Sequence, residues 1–170
     1  MQTFERYLLA ANRWALILLL AAMSVIIFTN VVMRYVTHDS LEWAEEVARH
    51  MMIWLTFLGA GPVLRYGGHI AVENLQDALP RAGGIALRVV VASLLLAFFG
   101  FMTWYGWLYM QRTMFQMTPV TQIPFAYIYS AMAIGGLLLI AHFLLVVRGY
   151  VLCREFAADD HFDANASASL

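Results

Sequence analysis

Residues 41–54 read LEWAEEVARHMMIW, and the oily run they open continues through TFLGAGPVL. Four charges, Glu42, Glu45, Glu46 and Arg49, stand within eight residues at its mouth. The uninterrupted apolar part, residues 51–64, is 14 residues long. That is about 21 Å of helix, whereas a hydrocarbon core of about 30 Å needs about 20 residues. A helix here crosses the bilayer only by recruiting residues 44–50, which draws Glu45, Glu46 and Arg49 to the membrane interface. At about 100° per residue, positions 42, 45, 46 and 49 share one sector of about 100°. Glu45 to Arg49 is the favourable i, i+4 order, and Glu42 closes a second pair with Arg49 two turns apart.

The rest of the chain supports a membrane reading. Of its 170 residues 62% are hydrophobic and only 12% charged, about half the charged fraction of a soluble domain. The ten basic residues are all arginine and nearly balance eleven acidic ones, so no basic face invites nucleic acid. A single cysteine, Cys153, excludes an internal disulfide. Residues 14–33 follow Arg6 and Arg13 as a signal peptide would, but the run exceeds a typical signal h-region and lacks an A-x-A cleavage pattern, which predicts a retained span.

Four spans are predicted, at about residues 14–36, 44–64, 85–110 and 123–147, giving an all-α integral membrane protein with one membrane domain over 1–156. Arg6, Arg13, Arg65, Arg81, Arg88, Arg148 and Arg154 collect on one side, and Arg34, Arg49 and Arg112 on the other, offset by Asp39, Glu42, Glu45 and Glu46. The arginine excess predicts both termini cytoplasmic. Between spans two and three, RYGGHIAVENLQDALPRAGG places Val72, Leu75 and Leu79 at helical spacing, which predicts a short interfacial helix over about 69–79 on the cytoplasmic surface. The tail, residues 157–170, is rich in Ala, Ser and Asp without periodicity and is predicted to be a disordered cytoplasmic segment.

Chemistry-bearing residues are scarce at mid-depth. A chain moving an ion alone is expected to place several polar groups there, yet only His142 interrupts the central turns of spans one, three and four. His142 is read either as a haem or metal ligand or as a side chain bonding a neighbouring helix; its depth excludes one haem shared with His50, but leaves pairs such as His38 with His50 or His69 with His142. The charged face of span two has three readings: headgroup anchoring, pairing with Arg34 inside the chain, or docking of a partner. Farther along the same helix, GAGP (59–62) combines small residues, which admit close helix approach, with Pro62, which frees a carbonyl one turn earlier and bends the span.

The series Asn30, Arg34, Trp43, Glu46, Arg49, Trp54, Gly59, Arg65, His69, Ile70 and Leu75, with TPVTQIPFAYIYS carrying Thr118, Pro119, Ile123, Pro124 and Tyr127, resembles the small permease subunit of tripartite ATP-independent periplasmic (TRAP) transporters, the DctQ-like family. The likeness runs from about Arg13 to Arg148. Two departures are Glu73 where Asp is expected and Ala133 where proline is frequent. The resemblance implies a non-catalytic, cofactor-free scaffold in the bacterial inner membrane. Its partners would be a large permease subunit and, transiently, a periplasmic receptor that delivers a carboxylate-bearing solute for cation-driven uptake, with sodium as the expected ion. The expected partner interface is Glu42, Trp43, Glu45, Glu46, Arg49, Trp54, Gly59 and Pro62, with Arg65 and His69 structuring the cytoplasmic loop. The competing readings are a cytochrome b-like anchor of an oxidoreductase and a small homodimeric antiporter working through Glu45 or Glu46.

Overall fold

The computed structural model describes residues 2–65 and 80–153. They form four helices, α1 (Gln2–Val36), α2 (Glu42–Arg65), α3 (Arg81–Arg112) and α4 (Phe125–Cys153). All four are long and apolar enough to cross a membrane. The predicted interfacial helix over 69–79, His69 and the tail at 157–170 lie outside the described residues.

The first three helices contain their predicted spans and extend beyond them where no breaker intervenes, whereas α4 starts two residues later than predicted, after Pro124. α1 begins at Gln2 rather than near residue 14, because FERYLLAANR holds neither Gly nor Pro. Its 35 residues make about 52 Å, more than the core requires, so α1 tilts or projects from the bilayer. α1 ends at Thr37, whose N–H and hydroxyl both bond the Met33 carbonyl, and His38 then turns the chain with φ 62°. The Asn30 side-chain oxygen accepts the Leu41 N–H at 2.7 Å and ties the incoming end of α2 back to α1.

The helices do not close into a bundle. Among the described residues α1 packs only on α2, α2 on α1 and α4, and α3 only on α4. The result is an open row in the spatial order α1, α2, α4, α3. α4 is enclosed on both sides because adjacent glycines serve different neighbours. A Cβ on Gly135 would meet Phe57 of α2 at 2.6 Å, and one on Gly136 would meet Thr103 of α3. Gly106 of α3 returns the contact, lying against the backbone of Ala133. Lipid tails are as apolar as the side chains, so such close backbone approach is what makes helices prefer each other.

Beyond these contacts, Leu64, Ala92, Phe99, Leu139, Phe143 and Tyr150 form the buried apolar cluster, with Phe99 and Phe143 edge to face at 6.0 Å. Several hydroxyls in the spans are satisfied within their own helix: Ser24 bonds the Leu20 carbonyl, Thr56 that of Met52, and Ser93 that of Val89. An exposed helix tolerates serine or threonine in lipid on that condition.

Candidate functional site

The charged face at the start of α2 divides. Glu42, Glu45 and Arg49 are exposed, whereas Glu46, at the edge of the same sector, turns into the protein and is only 8% exposed. Its carboxylate accepts the N–H groups of Val120 at 3.0 Å and Thr121 at 3.1 Å, and also the Thr121 hydroxyl. Two adjacent backbone donors converging on one carboxylate make a charge-assisted clamp.

The clamped loop, residues 113–124, is internally bonded. Thr118 and Ile123 exchange bonds, with the Thr118 N–H on the Ile123 carbonyl and the Ile123 N–H on the Thr118 hydroxyl, each at 3.0 Å. A carboxylate has no proton to give, so the Thr121 hydroxyl donates to Glu46 and must accept from Thr118 at 2.9 Å. A relay therefore runs from the Ile123 N–H through Thr118 and Thr121 to Glu46. Gln122 adopts a left-handed φ of 54° to close the turn, and Pro124 leads into α4.

Glu45 forms an ion pair with Arg34 of α1 at 2.9 Å, both side chains more than half exposed. Of the pairings open in the sequence, Glu45 with Arg49 or with Arg34, the structure forms the one with Arg34, brought alongside by the α1–α2 turn. Arg49 makes no ion pair among the described residues.

The expected interface residues point in different directions. Trp43 and Trp54 are five or six residues from Arg49, about 120–140° around the helix, so they lie on the other flank of α2. Gly59 lies against Leu16 of α1. Pro62 cannot donate to the Leu58 carbonyl, and that carbonyl accepts the side-chain amide of Asn12 at 3.0 Å instead. Arg65 is the last residue of α2 and is buried.

Asn12 went unremarked in the sequence, although Pro62 four residues beyond Leu58 marked a carbonyl in need of a donor. His142 is fully buried, with its ring filling the space over Gly61, and neither ring nitrogen has a hydrogen-bond partner among the described residues. The described residues contain no group of three His, Cys, Asp or Glu side chains able to hold a metal ion.

Comparisons with known proteins fit this geometry. The family model "Tripartite ATP-independent periplasmic transporters, DctQ component" matches residues 23–151. A protein of Haemophilus influenzae described as a TRAP transporter small permease is 29% identical over 148 residues, 87% of this chain and 91% of that one. The ectoine TRAP transporter small permease protein of Halomonas elongata is 40% identical over 63 residues, 37% of this chain and 33% of that one. The C4-dicarboxylate TRAP transporter small permease protein of Vibrio cholerae is 32% identical over 79 residues, 46% and 34% of the two chains. The family match spans well over half of these membrane-crossing helices, and the chain belongs to the DctQ component family of the TRAP transporters, as a small permease, a transporter component and not an enzyme.

Proposed function

We propose that this chain is the stationary scaffold against which a large permease subunit moves during cation-driven uptake, with sodium as the expected ion, of a carboxylate-bearing solute brought by a periplasmic receptor. The observation that carries the reading is the open row. Four spans packed in single file leave broad apolar faces, with exposed Trp104, Phe101, Leu94, Phe28 and Leu18 among many others, and a large membrane partner is the object such faces suit. In the central turns of the spans of α1, α3 and α4, His142 is the one charged or histidine side chain, and it is occupied in packing against Gly61. A moving ion needs a chain of polar groups that these helices do not offer.

The arginine distribution orients the row with the Glu46 clamp outward and both termini cytoplasmic in the inner membrane. Small permeases similar to this chain over part of their length are named for ectoine and for C4-dicarboxylates, which supports solute choice residing in the other components. The reading is tested by reconstituting the chain into liposomes with and without the large subunit of its own gene neighbourhood, the receptor and a sodium gradient. Uptake that requires both membrane chains supports it; coupled uptake by this chain alone would replace it with the antiporter reading.

A further inference from the structure

α2 sits between its neighbours, meeting the 113–124 loop through Glu46, α4 through Phe57 and Gly61, and α1 through Glu45, Leu58 and Gly59. Six of the α2 residues left exposed are Glu42, Glu45, Arg49, Met52, Thr56 and Val63. With the partly exposed Gly59 they recur at alternating steps of three and four along the whole helix. That is the 3.5-residue period of a helix seam, along which a second helix packs with a left-handed crossing of about 20°.

The composition of the stripe separates it from a lipid-facing one. Arg49 stands seven residues into α2, about 10 Å from its first turn, exposed and without an ion pair among the described residues. The acid one turn away, Glu45, is taken by Arg34. Below Arg49, the Thr56 hydroxyl is bonded to the Met52 carbonyl and Gly59 has no side chain, so this part of the stripe is narrow and lacks free donors. A cation above a narrow apolar seam calls for a helix carrying an anion at matching depth.

We infer that one transmembrane helix of the large permease subunit lies along this stripe and presents a carboxylate to Arg49. The inference rests on the subunit reading above and specifies its contact. Lipid tails supply no anion, and a headgroup phosphate reaching Arg49 would leave the narrow seam below it unfilled. A second copy of this chain, related by a two-fold axis normal to the membrane, would bring Arg49 against Arg49 and Glu45 against Glu45 at equal heights. A complementary partner escapes both objections. The seam includes Glu42, Glu45, Arg49 and Gly59, adds Met52, Thr56 and Val63, and leaves Trp43 and Trp54 on the far flank.

The test uses the full chain co-expressed with the large subunit. A photo-crosslinking residue is placed at Met52, Thr56 or Val63 on the stripe, or at Trp54 on the far flank. Crosslinks to the large subunit are expected from the three stripe positions and not from Trp54. Arg49→Glu is expected to lower recovered complex on the order of tenfold or more, and changing one acidic residue of the crosslinked helix to arginine to restore it. Crosslinks from Trp54 alone, stripe crosslinks only to lipid or to a second copy, or undiminished complex with Arg49→Glu would each overturn the seam. If Arg49→Glu fails to insert, the crosslinking arms decide alone. Failure of the unaltered chain to co-purify with the large subunit would remove the subunit reading itself.

Discussion

His142 and Gly61 occupy one site between them: a Cβ added to Gly61 would lie 2.6 Å from the His142 Cδ2. The imidazole is fully buried there and cannot swing aside into solvent. Gly61→Ala is therefore expected to lower stability by about 1–3 kcal/mol through overpacking. Thermal unfolding in detergent measures it. His142→Ala should remove the clash, so the double variant is expected to lose less than the sum of the two single losses.

Asn12 and Pro62 form a second testable pair. Asn12→Leu strands the Leu58 carbonyl, at an expected cost of about 1–3 kcal/mol. Pro62→Ala restores an N–H four residues on, and in that background Asn12→Leu should cost markedly less. Equal costs in both backgrounds would show that the amide does not substitute for the proline's missing donor.

Glycines of α3 should respond in opposite ways. A Cβ on Gly106 would sit 2.8 Å from the Ala133 backbone nitrogen, whereas Gly100 has nothing within 4 Å. Gly106→Ala is expected to separate α3 from α4 and destabilise the chain. Gly100→Ala should be neutral or gain up to about 1 kcal/mol from helix propensity. Paired melting curves of the two variants check this.

Glu46→Ala removes the acceptor of two backbone donors and a hydroxyl, and loosening of residues 118–123 is expected. Hydrogen exchange at the Val120 and Thr121 amides should accelerate several-fold, with Glu46→Gln intermediate because one carbonyl oxygen remains. Exchange unchanged in Glu46→Ala would mean that the threonine relay holds the loop unaided. Any loss of uptake in this variant is then to be read through the loop.

Much of this architecture was legible in run lengths alone. The 14-residue apolar core of span two predicted that α2 must take in Glu45, Glu46 and Arg49, and α2 does start at Glu42. Helical angle placed the four charges together. It could not reveal that Glu46, at the sector's edge, turns toward a loop 74 and 75 residues away, because that depends on how α4 seats against α2. Likewise Pro62 announced an orphan carbonyl, but only the α1–α2 pairing identifies Asn12 as its donor. Gly135 and Gly136 look like a flexible dipeptide in sequence; in the fold each admits a different neighbour.

The single-file arrangement also constrains how the protein is made. α2 and α3 are consecutive in the chain yet do not touch among the described residues, so the first three helices enter the membrane as a pair and a loner. Only when α4 follows the other three out of the ribosome does a helix arrive that packs on both. The final hairpin is thus a closing wedge, and a nascent chain halted before residue 125 would hold two membrane pieces linked only through their connecting segment.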